Sequence, residues 1–348
     1  MDQFANETVN QDLRLTVLDE FPKDLLDVEA CDLHSHLNGP TLFHLKGARI
    51  QPLFITVLLH GNETTGWDAI RHLFKKYIDG EFPRSILLFV GNIDAARANV
   101  RTLSNQLDYN RAWPGSEHPD FPETKLMADV FQKVKECSPF ASIDVHNNTG
   151  TNPFYGCVNE LDDDYLYLAS LFSRTIVYFK RPKGVQSLAL SQLCPAVTIE
   201  CGRVGMPQAI EKAAEYLEAA LRLSDFPKHP IRDEDIDLLQ THAIVKLPKD
   251  ASFSFDGSDA DFMFRSDLDH MNFSEISSGT SFGTLGCLQQ KHLLMFPGEE
   301  SDLTEDYFNY EDAEICLKQS TIPAMLTLDP NAIRSDCLGY FMKRINRG

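Results

Sequence analysis

The run at 53–59, LFITVLL, has no polar face, so a chain that contains it must bury that segment on both faces. A strand of this kind belongs inside a sheet covered by helices. Similar strand-like runs follow at 85–91, 141–146, 174–179 and 195–200. Helical patterns lie between and after them, near 65–77, 94–103, 123–136, 162–171 and 207–223. The last is strongly amphipathic, with Ile210, Ala213, Ala214, Leu217, Ala220 and Leu221 on one side. The alternation predicts an α/β fold with a mostly parallel or mixed, helix-covered sheet. In open sheets of that class, ligands bind beyond the carboxyl ends of the strands.

Chemistry-bearing residues stand at those ends. His60-Gly61-Asn62-Glu63 closes the first buried run, and an imidazole and a carboxylate three residues apart can hold one metal ion from a single turn. His146 closes the strand at 141–146 and is the candidate third ligand. Asp144, two residues earlier, shares its face of the strand and can accept the other ring N–H, as outer-shell carboxylates do for metal-bound histidines. Glu200 closes the strand at 195–200 and is the candidate general base. The loop between contains Asn92, Arg97, Arg101, Asp108, Asn110 and Arg111, of which an Asn–Arg pair suits a substrate carboxylate. Taken singly, each piece has a plainer reading. Glu63 can start a helix, His146 can be a solvated loop residue, Glu200 can pair with a surface cation, and the Arg-rich loop can be a polar surface.

In order and spacing, the four pieces resemble the succinylglutamate desuccinylase/aspartoacylase family of the zinc carboxypeptidase clan. The matching motifs are HGNE (60–63), DYNR (108–111), DVH (144–146) and ECG (200–202). The resemblance implies a three-layer zinc carboxypeptidase-like catalytic domain, residues 1–230, and a smaller C-terminal β domain, residues 231–348, that shapes the site entrance. It implies one Zn2+ per chain on His60, Glu63 and His146, with Asp144 behind His146. Glu200 would be general base and acid, Asn110 and Arg111 would bind the substrate carboxylate, and Arg101 would polarise the scissile carbonyl. The expected activity is deacylation of a small N-acyl amino acid. The alternatives are a zinc metallocarboxypeptidase acting on peptides and a catalytically silent carboxylate-binding protein. Two departures bear on the substrate. Leu103 stands where members of the family carry an arginine, and no arginine lies between Lys183 and Glu200. The pocket for a succinyl or aspartyl group is therefore expected to differ.

Composition sets the partners. With 51 acidic against 32 basic residues the net charge is −19, which argues against nucleic acid and against an anionic membrane surface. The N-terminal residues show neither a basic nor an apolar signal region, and no apolar run approaches the length of a membrane span. The expectation is a cytoplasmic protein with a small-molecule partner; homo-oligomerisation is left open. Eight scattered cysteines without a C-x-x-C spacing predict buried thiols rather than disulfides. Cys201, next to Glu200, is expected to face the opposite side of its strand and pack.

Elsewhere, residues 30–37 and 41–47 around Asn38-Gly39 predict a β-hairpin. Its His34, His36 and His44 lack a carboxylate and are not read as a metal site. The Pro- and charge-rich stretch 224–235 reads as a linker, the segment beyond it as short strands, and the acidic stretch 298–314 as an exposed loop.

Overall fold

The computed structural model describes residues 13–286, 291–296 and 304–347. The first strands and helices are β1 (Thr16–Leu18), β2 (Thr41–Leu45), β3 (Gly47–Val57), α1 (Thr65–Lys75), β4 (Phe82–Val90), α2 (Ile93–Arg97), α3 (Pro122–Glu136), β5 (Ala141–His146) and β6 (Tyr155–Val158). They are followed by α4 (Asp163–Ser170), β7 (Thr175–Tyr178), α5 (Gln186–Leu190), β8 (Ala196–Glu200), α6 (Pro207–Arg222) and β9 (Asp237–Lys246). The rest comprises β10 (Phe253–Ser254), β11 (Phe262–Phe264), β12 (Ser281–Leu285), β13 (Leu294–Phe296), α7 (Thr304–Tyr307), β14 (Phe308–Asn309), β15 (Glu314–Leu317), β16 (Ile322–Ala324), α8 (Pro330–Ser335) and β17 (Gly339–Arg344).

One large mixed sheet has the order β1-β2-β4-β3-β5-β8-β6-β7-β9-β17-β16, with β13 added on β9. At its centre β4, β3, β5 and β8 are parallel, so their carboxyl ends open on one edge. Strand alternation splits their side chains between two layers. Leu53, Ile55, Val57, Ile143, Val145, Val197 and Ile199 join Trp67 and Leu73 of α1, Leu166 of α4 and Leu217 of α6 in one core. On the other face Phe54, Leu87 and Phe89 pack with Trp113, with Leu126 and Val130 of α3, and with Leu190 of α5. Each fully buried Leu, Ile, Val or Phe contributes roughly 1.5–3 kcal/mol. The run 53–59 is buried throughout because both layers claim it.

Polar residues interrupt the second face along β5 and towards the carboxyl ends of β3 and β8. Ser142, Asp144 and His146 on β5 lie beside Thr198 and Glu200 on β8, and the register pairs His146 with Glu200. Thr56 on β3 pairs with Asp144, and its hydroxyl donates to the Asp144 carboxylate. A buried polar stripe thus runs down to the site. Cys201 points the other way, into the first core, as alternation requires.

The strands beyond residue 236 do two things. β9 pairs in parallel with β7, and β17 and β16 follow antiparallel, continuing the large sheet. β10, β11, β12, β15 and β14 form a second, five-stranded sheet around Phe262, Phe282, Phe308 and Phe341.

The expected hairpin at 30–47 is corrected. Residues Ala30–Ser35 form a 3₁₀ turn, and β2 pairs with β1 and β4 instead. Leu33 of that turn is fully buried and Leu37 nearly so, a spacing that suits a helical turn better than a strand. The helix expected at 94–103 ends at Arg97. Residues 298–303 of the acidic stretch, residues 1–12 and Cys287 lie outside the described residues. Among the described residues no helix is long and apolar enough to cross a membrane.

Candidate functional site

The chain leaves β3 through Leu58, whose φ of 57° is left-handed, and turns sharply so that His60 and Glu63 face back over the sheet edge. Gly61 permits this turn to press against α2. A Cβ there would lie 2.1 Å from the backbone carbonyl carbon of Ala95. The Gly61 amide donates to the Arg101 carbonyl at 3.1 Å, which ties the turn to the arginine loop.

Glu63 is the hub. Its Oε1 lies 2.8 Å from His60 Nδ1 and its Oε2 lies 2.8 Å from His146 Nδ1. The second oxygen also accepts the Asn147 backbone N–H at 2.9 Å. Each imidazole is held from behind at Nε2, His60 by Asp108 at 3.0 Å and His146 by Asp144 at 2.8 Å. Both Nδ1 atoms are therefore aimed inward, towards Glu63. All three residues are buried, and one ligand atom from each lies within 4.8 Å of the others. Among the described residues this is the group of three such side chains close enough to share an ion. Two imidazole nitrogens and a carboxylate oxygen, each ring fixed by an outer carboxylate, form a donor set that fits zinc and leaves a coordination position open.

The charges follow from the packing. Burial alone would raise the Glu63 carboxyl, but the two imidazoles hold it well below the usual carboxylate range. Burial likewise opposes ionisation of Asp108, and Arg101 with His60 overcomes it. For His146, burial disfavours the charged ring, yet Asp144 and Glu63 push its pKa well above the ordinary value. Glu200 behaves differently. Burial lifts its carboxyl to about 7; His146 opposes the shift and Glu63 adds to it. A carboxyl near neutrality can both take and return a proton at physiological pH.

The structure brings the remaining sequence-predicted residues to the same pocket, with partners the sequence did not disclose. Arg101 holds Asp108 through Nε at 3.2 Å and Nη2 at 2.9 Å, and approaches Glu63 at 3.6 Å. The Asn110 Nδ2 lies 3.2 Å from His146 Nε2, and its Oδ1 accepts the Gln186 amide at 3.0 Å. Arg111 meets Asp336 at 3.2 Å. Asn148 donates to Glu200 Oε2 at 3.2 Å. Asn147 bonds Thr65 and the Gly202 carbonyl. Asn147 and Asn148 had no part in the site expected from the sequence. Tyr155, Cys157, Thr198, Thr241, Asp336 and Tyr340 also line the pocket. Apart from Thr198 on an expected strand, none of them carried a signal in the sequence, and none stands in a motif.

The motif spacing and this geometry agree with what comparison finds. The succinylglutamate desuccinylase/aspartoacylase catalytic domain matches residues 50–224, half of the chain. This chain belongs to that family. The succinylglutamate desuccinylase/aspartoacylase family is one of deacylating hydrolases that act on N-acyl amino acids. The fold is also that of solved family structures. Succinylglutamate desuccinylase from Chromobacterium violaceum is 17% identical over 86% of each chain, with a TM-score of 0.55. Murine aminoacylase 3 is 14% identical over 85% of this chain and 96% of that one, with a TM-score of 0.57. A succinylglutamate desuccinylase/aspartoacylase from Rhodobacter sphaeroides is 13% identical over 88% and 89%, with a TM-score of 0.58. No curated protein sequence matches the chain.

Proposed function

We propose that the chain is a zinc-dependent amidohydrolase that deacylates a small N-acylated amino acid bearing a free carboxylate. The observation that carries this reading is the convergence of His60 Nδ1, Glu63 and His146 Nδ1 in a pocket that also contains Glu200. When bound, zinc supplies Lewis acidity that polarises the scissile carbonyl and acidifies water. His60, Glu63 and His146 hold it, and Asp108 and Asp144 fix the rings that do so. Glu200 takes a proton from the attacking water on its carboxylate and returns it to the departing amine nitrogen. Arg101 lines the same pocket, and its charge favours a developing oxyanion there. Asn110 and Arg111 orient the substrate, with the Arg111 guanidinium receiving the carboxylate.

Residues 1–230 would form the catalytic unit, with residues 231–348 supplying the far wall. Thr241, Ala324, Met325, Asp336 and Tyr340 all line the pocket from that segment, which supports the division of labour. The pocket volume of about 120 Å³ favours a small acylated end over a folded peptide chain.

Metal content of the purified chain beside His146→Ala tests the centre. About one zinc per chain, lost in the variant, is the expected result, and no stoichiometric metal after zinc loading would sink the reading. Glu200→Gln should retain zinc while losing turnover on an N-acyl amino acid panel. Undiminished turnover would remove Glu200 from the mechanism.

A further inference from the structure

The metal pocket does not open directly to solvent on all sides. Arg111, Arg181, Thr241, Asp336 and Tyr340 form a wall that it shares with an outer cavity of about 740 Å³. That volume lies in the range of whole small-molecule sites, while the inner pocket has room only for the end of one.

The outer cavity is cationic in a chain that is otherwise acidic. Among the described residues, Arg111, Lys180, Arg181, Lys183, Lys246 and Lys343 line it, against two carboxylates, Glu117 and Asp336. Those two are already engaged, Glu117 with Arg181 and Lys183 at 3.4 and 3.6 Å, and Asp336 with Arg111. Lys180 reaches out to Glu160 at 2.9 Å. Among the described residues, no carboxylate stands at ion-pair distance from Lys246 on β9 or Lys343 on β17. Both line the cavity from the β9–β17 ladder, Lys343 opposite Gln240 and Lys246 just beyond the Val245–Gly339 pair, so they flank it from the two ends of that wall. His242 on the same wall senses the field. Burial, and then the Lys343 charge, hold its imidazole down at about 4.

A concave surface that concentrates one sign of charge attracts and retains the opposite sign. The acidic composition elsewhere makes this cavity the exception, and it leads to the metal pocket. We propose that the outer cavity is the subsite for a polyanionic tail, a phosphate or a di- or tricarboxylate. The substrate is then an elongated anionic compound whose acylated end alone enters the inner pocket. This inference rests on the amidohydrolase reading of that pocket. It accounts for the departures in the arginine positions, because recognition has moved outward onto lysines that bind phosphate or carboxylate as point charges.

Three probes separate the outcomes. Each is Nα-acetyl-lysine, carrying on its ε-nitrogen a tricarballylyl tail, a phosphonoacetyl tail or an uncharged propionyl tail. Release of the free α-amine by the zinc-loaded chain should favour a charged tail by about ten-fold or more in kcat/KM at low salt, and the preference should shrink as salt is added. The better of the two charged tails identifies carboxylate or phosphate. In Lys246→Glu/Lys343→Glu the ratio of charged to uncharged should fall towards one. The milder Lys246→Gln/Lys343→Gln should lower it in the same direction, and covers a folding failure of the first variant. Equal rates on charged and uncharged tails in the wild type, or an unchanged ratio in both variants, would overturn the subsite. If no probe is cleaved, the amidohydrolase reading fails, and calorimetric titration with the tricarballylyl probe then decides the subsite alone. Binding weakened by both variants supports it, and absence of binding overturns it.

Discussion

Arg111 and Asp336 stand 225 positions apart in the sequence and meet at 3.2 Å across the wall between the two cavities. The arginine proposed to receive the substrate carboxylate therefore already faces a carboxylate of its own chain. Asp336 lies between the end of α8 and the start of β17, so the C-terminal segment sets the charge at the site. Any anionic substrate must compete with it. Asp336→Asn removes that competitor while leaving Arg111 in place. We expect the KM for carboxylate-bearing substrates to fall about five-fold, the scale of a partly exposed ion pair of about 1 kcal/mol, with kcat little changed. A higher KM would show that Asp336 orients Arg111 instead.

Asp144 is fully buried between Thr56 and His146, with one carboxylate oxygen bonded to each. Asp144→Asn keeps the volume but loses the charge that holds the imidazole. Zinc affinity, measured by chelator competition, should drop about 10–100-fold with the circular dichroism spectrum preserved. Wild-type affinity would mean that the ring is held by packing alone.

Gly61 is required by closeness rather than by a special φ. An alanine there would drive its Cβ into the Ala95 backbone and push the His60–Glu63 turn away from α2. Gly61→Ala should cost about 1–3 kcal/mol of stability and reduce zinc occupancy together. A thermal midpoint and a zinc content both equal to wild type would contradict this account of the turn.

The raised Glu200 carboxyl carries a cost in stability. Its folded pKa of about 7 exceeds the ordinary 4.5, so the folded state holds the proton more tightly than the unfolded chain. The stability it contributes is complete below pH 4.5 and is lost as pH rises through 7. For the metal-free protein, Glu200→Gln should therefore stabilise at pH 8 by up to roughly 3 kcal/mol, and by much less at pH 5. Denaturant midpoints at the two pH values check this; a variant destabilised at pH 8 would show that the carboxylate is compensated.

The cluster of His60, Glu63, His146 and Glu200 was legible because its residues stand at the ends of apolar strands, where a polar side chain has few structural reasons to be. His60, Glu63, His146 and Glu200 each interrupt or close such a run. Asp144 was legible by strand alternation alone. Asp336 and Tyr340 were not, because nothing near them in sequence hints at a partner more than 200 positions away. The polar stripe shows the same limit. Gln186 donates to Ser142 at 2.7 Å, a pairing that only the packed helix and strand can reveal. The false hairpin at 30–37 arose because Asn38-Gly39 is a strong turn signal and His34 and His36 mimic alternation. The burial of Leu33 and Leu37 decided the matter. β6, only four residues long and containing Gly156 and Cys157, has no apolar run to announce it.

The pairing of β7 with β9 has a consequence for any attempt to take the protein apart. The segment after residue 236 supplies the neighbour that covers the edge of β7. Cutting the chain there would bare a row of unpaired amides and carbonyls on a flat parallel strand, an invitation to self-association. The C-terminal wall of the pocket is thus not an exchangeable attachment. A variant that reshapes this side of the pocket has to change side chains on β9 and β17 while preserving the backbone seam that joins them to β7.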